Sequence, residues 1–173
     1  EETEVWIAYD SGNIYFAMHA HYTDPSIARA NRVDRDQTRS DDTISVYLDT
    51  FFDQQRAYVF SVNGYGVQGD SLLASRGSSG GSRGGSRGGG FRGGGFSGGF
   101  SGVPSGDSSW DALFDSAGTL VADGWTAEMA IPFKSLRYPA RAAGDPHRWG
   151  FQITRRIRGR SEAQSWAPIA RDI

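Results

Sequence analysis

Apolar and polar residues alternate with a period of two along most of this chain. "TEVWIAYDSGNIYFAMHAHYTD" holds two such runs, Val5 to Tyr9 and Ile14 to Tyr22, on either side of "DSGN". Two extended runs around Asp, Ser, Gly and Asn predict a β-hairpin, because these residues suit the backbone of a tight turn. In the second run Ile14, Phe16, Met18 and Ala20 share one face, and Tyr15, His19 and His21 share the other. Pro25 cannot donate to a ladder and ends the strand. Residues 26–43 are polar and charged and read as an irregular surface loop.

The alternation resumes in "TISVYLDTFFD", where Ile44, Val46 and Leu48 oppose Ser45, Tyr47 and Asp49. It continues through Tyr58, Phe60 and Val62 and breaks at the glycines of "NGYG". Further on, "WDALFDSAGTLVADGWTAEMAIPF" reads as two strands joined at "ADG", with Trp125, Ala127, Met129 and Ile131 on one face. "PFKSLRYP" has the character of a helix start, which Pro139 limits to a turn or two. "RWGFQITRRIR" places Trp149, Phe151 and Ile153 together, and a short last strand is expected around Ser165 to Ile169. Many short strands with regularly spaced turns and little helix predict an all-β fold, an antiparallel β-sandwich. Its core is expected to hold Ile14, Phe16, Met18, Ile44, Val46, Leu48, Phe60, Met129, Ile131 and Phe151, with Trp6, Trp125 and Trp149 also inside.

One stretch departs from the pattern. Residues 75–102, "SRGSSGGSRGGSRGGGFRGGGFSGGFSG", are almost pure Gly, Ser and Arg. Few of these side chains can fill a sandwich interior, so the stretch reads as a long loop insertion in a single domain spanning 1–173. That chain has the look of a fragment of a longer one. Arg76, Arg83, Arg87 and Arg92 are interleaved with Phe91, Phe96 and Phe100. Arg-Gly tracts bind RNA through charge and stacking, but the net charge of −2 makes a nucleic-acid partner an unfavoured reading. As a docking element, the stretch would use Phe91, Phe96, Phe100 and Arg92 as anchors on a protein partner. The chain has no cysteine, which excludes disulfides and thiolate metal sites. No apolar run is long enough for a transmembrane segment.

Four segments, "VWIAYDSGNIYFAMHAHYTDPS", "SDDTISVYLDTFFDQQRAYVFSVNGYGVQGD", "GWTAEMAIPFKSL" and "RWGFQITRRIR", together resemble a carbohydrate-binding module of family 9. The variant they most resemble stands at the front of bacterial envelope proteins that continue into an outer-membrane barrel of unknown function. The resemblance implies a β-sandwich, no catalysis, a possible sugar site and an extracytoplasmic location. The partner it implies is a glycan, or a protein within an envelope or membrane assembly. The family's further N-terminal strand and acidic-Trp segment are absent here, and the Gly-rich stretch lies where the family has a variable loop.

Related modules clamp a sugar between two Trp rings, and chain order points to Trp110 and Trp166 as the sugar-binding pair. The opposing reading makes both partly buried sandwich residues. The family's structural calcium points to Asp24, Asp41 and Asp42 as hard oxygen ligands, with Asp49 nearby. The plainer reading has Asp41 and Asp42 starting a strand and keeping its edge solvated. His19 and His21, at i and i+2 on one strand face, form a pair that can chelate a transition metal, although the sequence shows no third ligand. "RRIRGR" gathers Arg155, Arg156, Arg158 and Arg160, either as an anion patch or, more simply, as the solvated face of an edge strand. No nucleophile elbow is present, and Glu128, opposite the Trp125 face, reads as structural or solvated. The chain is therefore expected not to be an enzyme.

Overall fold

Strand pairing in this all-β chain brings distant segments together in two antiparallel sheets. The computed structural model describes residues 1–74, 107 and 109–168. The strands are β1 (Thr3–Tyr9), β2 (Asn13–His21), β3 (Thr43–Asp49), β4 (Arg56–Asn63), β5 (Gln68–Ala74), β6 (Asp115–Val121), β7 (Gly124–Pro132), β8 (Gly150–Ile157) and β9 (Glu162–Ser165). One sheet runs β1-β2-β7-β6 and the other β5-β4-β3-β8-β9. The β1–β2 hairpin turns as its residues dictate: Asp10 Oδ1 accepts from the backbone N–H of Gly12 and Asn13 at 2.7 and 2.8 Å.

The period-two faces become the two sides of each sheet. Phe16, Met18 and Ala20 meet Trp125, Ala127, Met129 and Ile131 on the inner face of the four-stranded sheet. Ile44, Val46, Leu48, Tyr58, Phe60, Val62, Ile153 and Ile157 cover them from the other sheet. Ile14, Phe151 and Trp149 are only partly buried and pack at the border of this core. Trp6 departs from expectation. Its neighbours in the ladder are outward-facing, so it stands on the solvent side and is 55% exposed.

The sheets touch closely near Gly66 and Gly118. A Cβ on Gly118 would collide with the Gly66 amide nitrogen, so only glycine lets β6 approach the β4–β5 turn. Ser116 completes the contact by donating its hydroxyl to the Gly66 carbonyl at 2.7 Å.

Three sequence expectations change here. "RRIRGR" does not form an exposed edge, because β8 lies between β3 and β9 and Arg155 is buried. Asp41 and Asp42 are fully buried, because the strand they precede is the central one of its sheet. The last strand comes earlier than Ser165 to Ile169. A short 3-10 turn at Arg158–Arg160 and the left-handed Ser161 (φ 54°) reverse the chain straight into β9. The Gly-rich stretch, with Phe91, Arg92, Phe96 and Phe100, lies outside the described residues. No helix among the described residues is long and apolar enough to cross a membrane.

Candidate functional site

The outer face of the four-stranded sheet is built as a checkerboard. One row across the strands reads Trp6, Ala17, Glu128, Ala117; the next reads Ala8, Tyr15, Ala130, Asp115. Large and small residues thus alternate both along and across the strands. Alanine is depleted in strands because it fits a half-buried pleated surface poorly. Four alanines on one face leave space where larger side chains would otherwise meet. The result is an open hollow of about 480 Å³, walled by Trp6 and Tyr15 and bordered by Asp115, Ser116 and Glu128. Its size falls in the range of about 300–1,000 Å³ usual for small-molecule sites. Tyr15 is held in place by donating its hydroxyl to Asp10 Oδ2 at 2.8 Å. Glu128 and Asp115 are exposed, and their side-chain oxygens can accept hydrogen bonds.

The next rows of the same face carry the histidines. His19 pairs with Glu4 across the β1–β2 ladder, and His21 pairs with Gly124 at the start of β7. Asp123, in the turn between β6 and β7, meets His21 Nδ1 at 2.7 Å and His19 Nε2 at 3.2 Å. Glu4 Oε2 lies 3.0 Å from His21 Nε2. Hydrogen bonding first to Glu4 and then to Asp123 holds the His21 pKa above its ordinary value. In return His21 is the main influence holding Asp123 below the usual carboxylate range. Glu4 and Asp123 carry no local signal in the sequence, because they come from another strand and from a turn about a hundred residues away. Only the register reveals them.

The aromatic pair expected for sugar does not converge. Trp110 stacks on Tyr58 and Phe60 of β4, with ring centroids at 4.9 and 5.8 Å. Trp166 packs against Phe151 of β8 at 5.6 Å. β3 runs between those two strands. Trp110 is half-buried against the core, while Trp166 is 73% exposed. Trp166 borders a second hollow, a groove of about 420 Å³ between the sheets, with Val5, Ile7, Phe151 and Gln164.

The expected calcium ligands all accept from protein donors. Asp24 is exposed and caps the turn at Pro25–Ile27 by accepting from the Ser26 backbone N–H at 3.0 Å and hydroxyl at 2.6 Å. Asp41 accepts from both the backbone and the side chain of Asn31 and from Asn63 Nδ2. Asp42 accepts from the Tyr22 hydroxyl at 2.6 Å and from the backbone N–H of Arg29 and Arg158. Asp49 accepts from the backbone of Phe51 and Gln54. Asp41 and Asp42, each with three or more protein donors, tie the neighbouring loops to the buried start of β3.

Comparisons with protein-family models, with curated proteins and with solved structures find no match to this chain.

Proposed function

We propose that this β-sandwich is a non-catalytic carbohydrate-binding module whose site is the checkerboard hollow on the open sheet face. The observation that carries the reading is Trp6, a large aromatic ring left half exposed beside a floor of alanines and across Ala17 from the Glu128 carboxylate. A sugar presents a flat C–H face and a rim of hydroxyls. An aromatic ring complements the first, and carboxylates can accept from the second. The likeness to family 9 modules supports the same class of ligand and, with it, a bacterial envelope setting. The site differs from the clamp that likeness implies.

The test is binding to a glycan array followed by titration calorimetry with the best ligand. Trp6→Ala should weaken binding at least tenfold, which corresponds to about 1.4 kcal/mol. Its thermal stability should hardly change, because exposed positions contribute little to folding. Glu128→Gln should also weaken binding. No glycan bound by the unaltered chain would refute the reading. Loss of binding in Trp166→Ala but not in Trp6→Ala would move the site to the inter-sheet groove.

A second reading, docking on a protein partner, is favoured by that groove. Ile7 is 50% exposed there and Trp166 more so, next to Val5 and Phe151. Apolar surface gathered in this way marks interaction sites. The anchors Phe91, Phe96, Phe100 and Arg92 would serve the same role. Co-purification of a partner that is lost on replacing Ile7 and Trp166 by Ser, or on deleting residues 75–102, would support this reading against the first.

A further inference from the structure

The cluster at the end of β2 has the composition of a transition-metal site. The His19 and His21 rings lie nearly face to face, with centroids 3.7 Å apart and planes tilted by 32°. Glu4 from the neighbouring strand meets His21 Nε2, while His21 Nδ1 and His19 Nε2 both face Asp123. One oxygen of Glu4 and one nitrogen each of His19 and His21 all lie within 4.8 Å of one another. Among the described residues, no other three His, Asp or Glu side chains are gathered so tightly.

We propose that Glu4, His19 and His21 bind one divalent transition-metal ion of the zinc kind, with Asp123 orienting the rings. Zinc binds His nitrogen and carboxylate oxygen at about 2.0–2.2 Å, which sets tetrahedral ligand atoms about 3.3 Å apart. Glu4 Oε2 and His21 Nε2 already stand at 3.0 Å. The remaining closure is at most about 1.5 Å in side chains that have solvent on one side, within reach of small torsional adjustments. Metal-bound histidine characteristically gives its other nitrogen to a carboxylate, which fixes ring orientation. Asp123 stands in that relation to His21, at 2.7 Å from Nδ1.

The backbone under the site is also fixed, because the His21 carbonyl accepts from Arg155 Nη2 at 2.7 Å. Imidazole with carboxylate favours zinc, copper or nickel over calcium or magnesium. With three protein ligands at the surface, the fourth position is open to water or to a ligand atom. The proposal does not depend on the carbohydrate reading, since no member of the cluster walls the hollow.

Titration calorimetry of the metal-free chain with zinc chloride tests it directly. One zinc per chain is expected, and calcium chloride should give no saturable heat. His19→Ala and His21→Ala should each weaken zinc binding at least about a hundredfold, and Asp123→Asn about tenfold to a hundredfold. Circular dichroism and metal-free thermal melts confirm that each variant is folded. Glu4→Gln, a near-isosteric change at an exposed position, should weaken binding as well and keeps the test decisive if a histidine variant does not fold. His147→Ala alters the third histidine, which packs on Tyr138 away from the cluster, and should change nothing. The proposal is overturned by any of three results. These are absence of saturable one-to-one binding, affinity unchanged in His19→Ala/His21→Ala, or loss of binding in His147→Ala matching that in the cluster variants.

Discussion

Replacing Asp42 by Asn is expected to destabilise the fold by about 3 kcal/mol, although the two side chains have almost the same shape. Asp42 is fully buried and has three donors aimed at it: the Tyr22 hydroxyl and Arg29 N–H at Oδ2, and the Arg158 N–H at Oδ1. A carboxylate accepts at both oxygens, whereas a carboxamide accepts at one and donates at the other. Whichever way the carboxamide turned, at least one buried N–H or O–H would face an N–H. For a chain of this size the loss corresponds to a fall in Tm of roughly 6–12 °C. Thermal or urea unfolding reads it, and Asp42→Ala should be at least as damaging. A melting temperature within a degree or two of the unaltered chain would show that the carboxylate does not hold these loops. By contrast Asp24→Asn, at an exposed turn cap, should leave the melting temperature nearly unchanged, because Asn caps about as well as Asp.

Arg155→Met is expected to cost a comparable amount, about 2–4 kcal/mol. The arginine rises from β8 into the space between the sheets and ties down the end of the other sheet. Nη1 donates to the Glu2 carbonyl at 2.7 Å and to Thr3 Oγ1 at 3.1 Å, and Nη2 donates to the His21 carbonyl. The guanidinium carbon also lies 4.3 Å from the centre of the Tyr22 ring. Methionine preserves much of the volume but removes the guanidinium donor from the His21 carbonyl, Thr3 Oγ1 and the Glu2 carbonyl, of which the last keeps the His21 N–H. Replacing a buried charge by an apolar residue is often neutral when the partner charge goes with it; here the partners are backbone and hydroxyl oxygens that stay. Urea unfolding measures the cost, and an unchanged midpoint and slope would refute it. Tyr22 is shared by both residues, so Asp42→Asn and Arg155→Met combined should cost less than their sum.

These two residues also show where the sequence is readable and where it is not. The alternation of Phe16, Met18 and Ala20, or of Ile44, Val46 and Leu48, depends only on local geometry, so their burial follows from period two. The same parity puts Trp6 with Glu4 and Ala8 on the outer face, and the expectation of a buried Trp6 weights residue size above phase. "RRIRGR" reads as a solvated patch because arginines usually are solvated. Whether Arg155 is buried depends on which strand pairs beyond β8 and on which carbonyls face it, and neither is local. The hollow has a visible trace in "WIA", "YFAM" and "AEMA", where Ala8, Ala17 and Ala130 stand at outward positions of their strands. That trace becomes a site only when the register sets the rows side by side. Glu4 and Asp123 join the histidines for the same reason.

The order of strands has a consequence for how the chain folds. β1–β2, β3–β4–β5 and β6–β7 are neighbours in sequence and can close as hairpins through short turns. The pairings that complete the sheets, β2 with β7 and β3 with β8, join segments about a hundred residues apart. Such distant pairing carries its loop-closure entropy before it gains any contact, which slows folding. We therefore expect the hairpins to form early and the β2–β7 and β3–β8 seams to form last, with the Gly-rich stretch contained in both closing loops. Pulse-labelled hydrogen exchange in which the amides of those seams gained protection ahead of the hairpins would contradict this order.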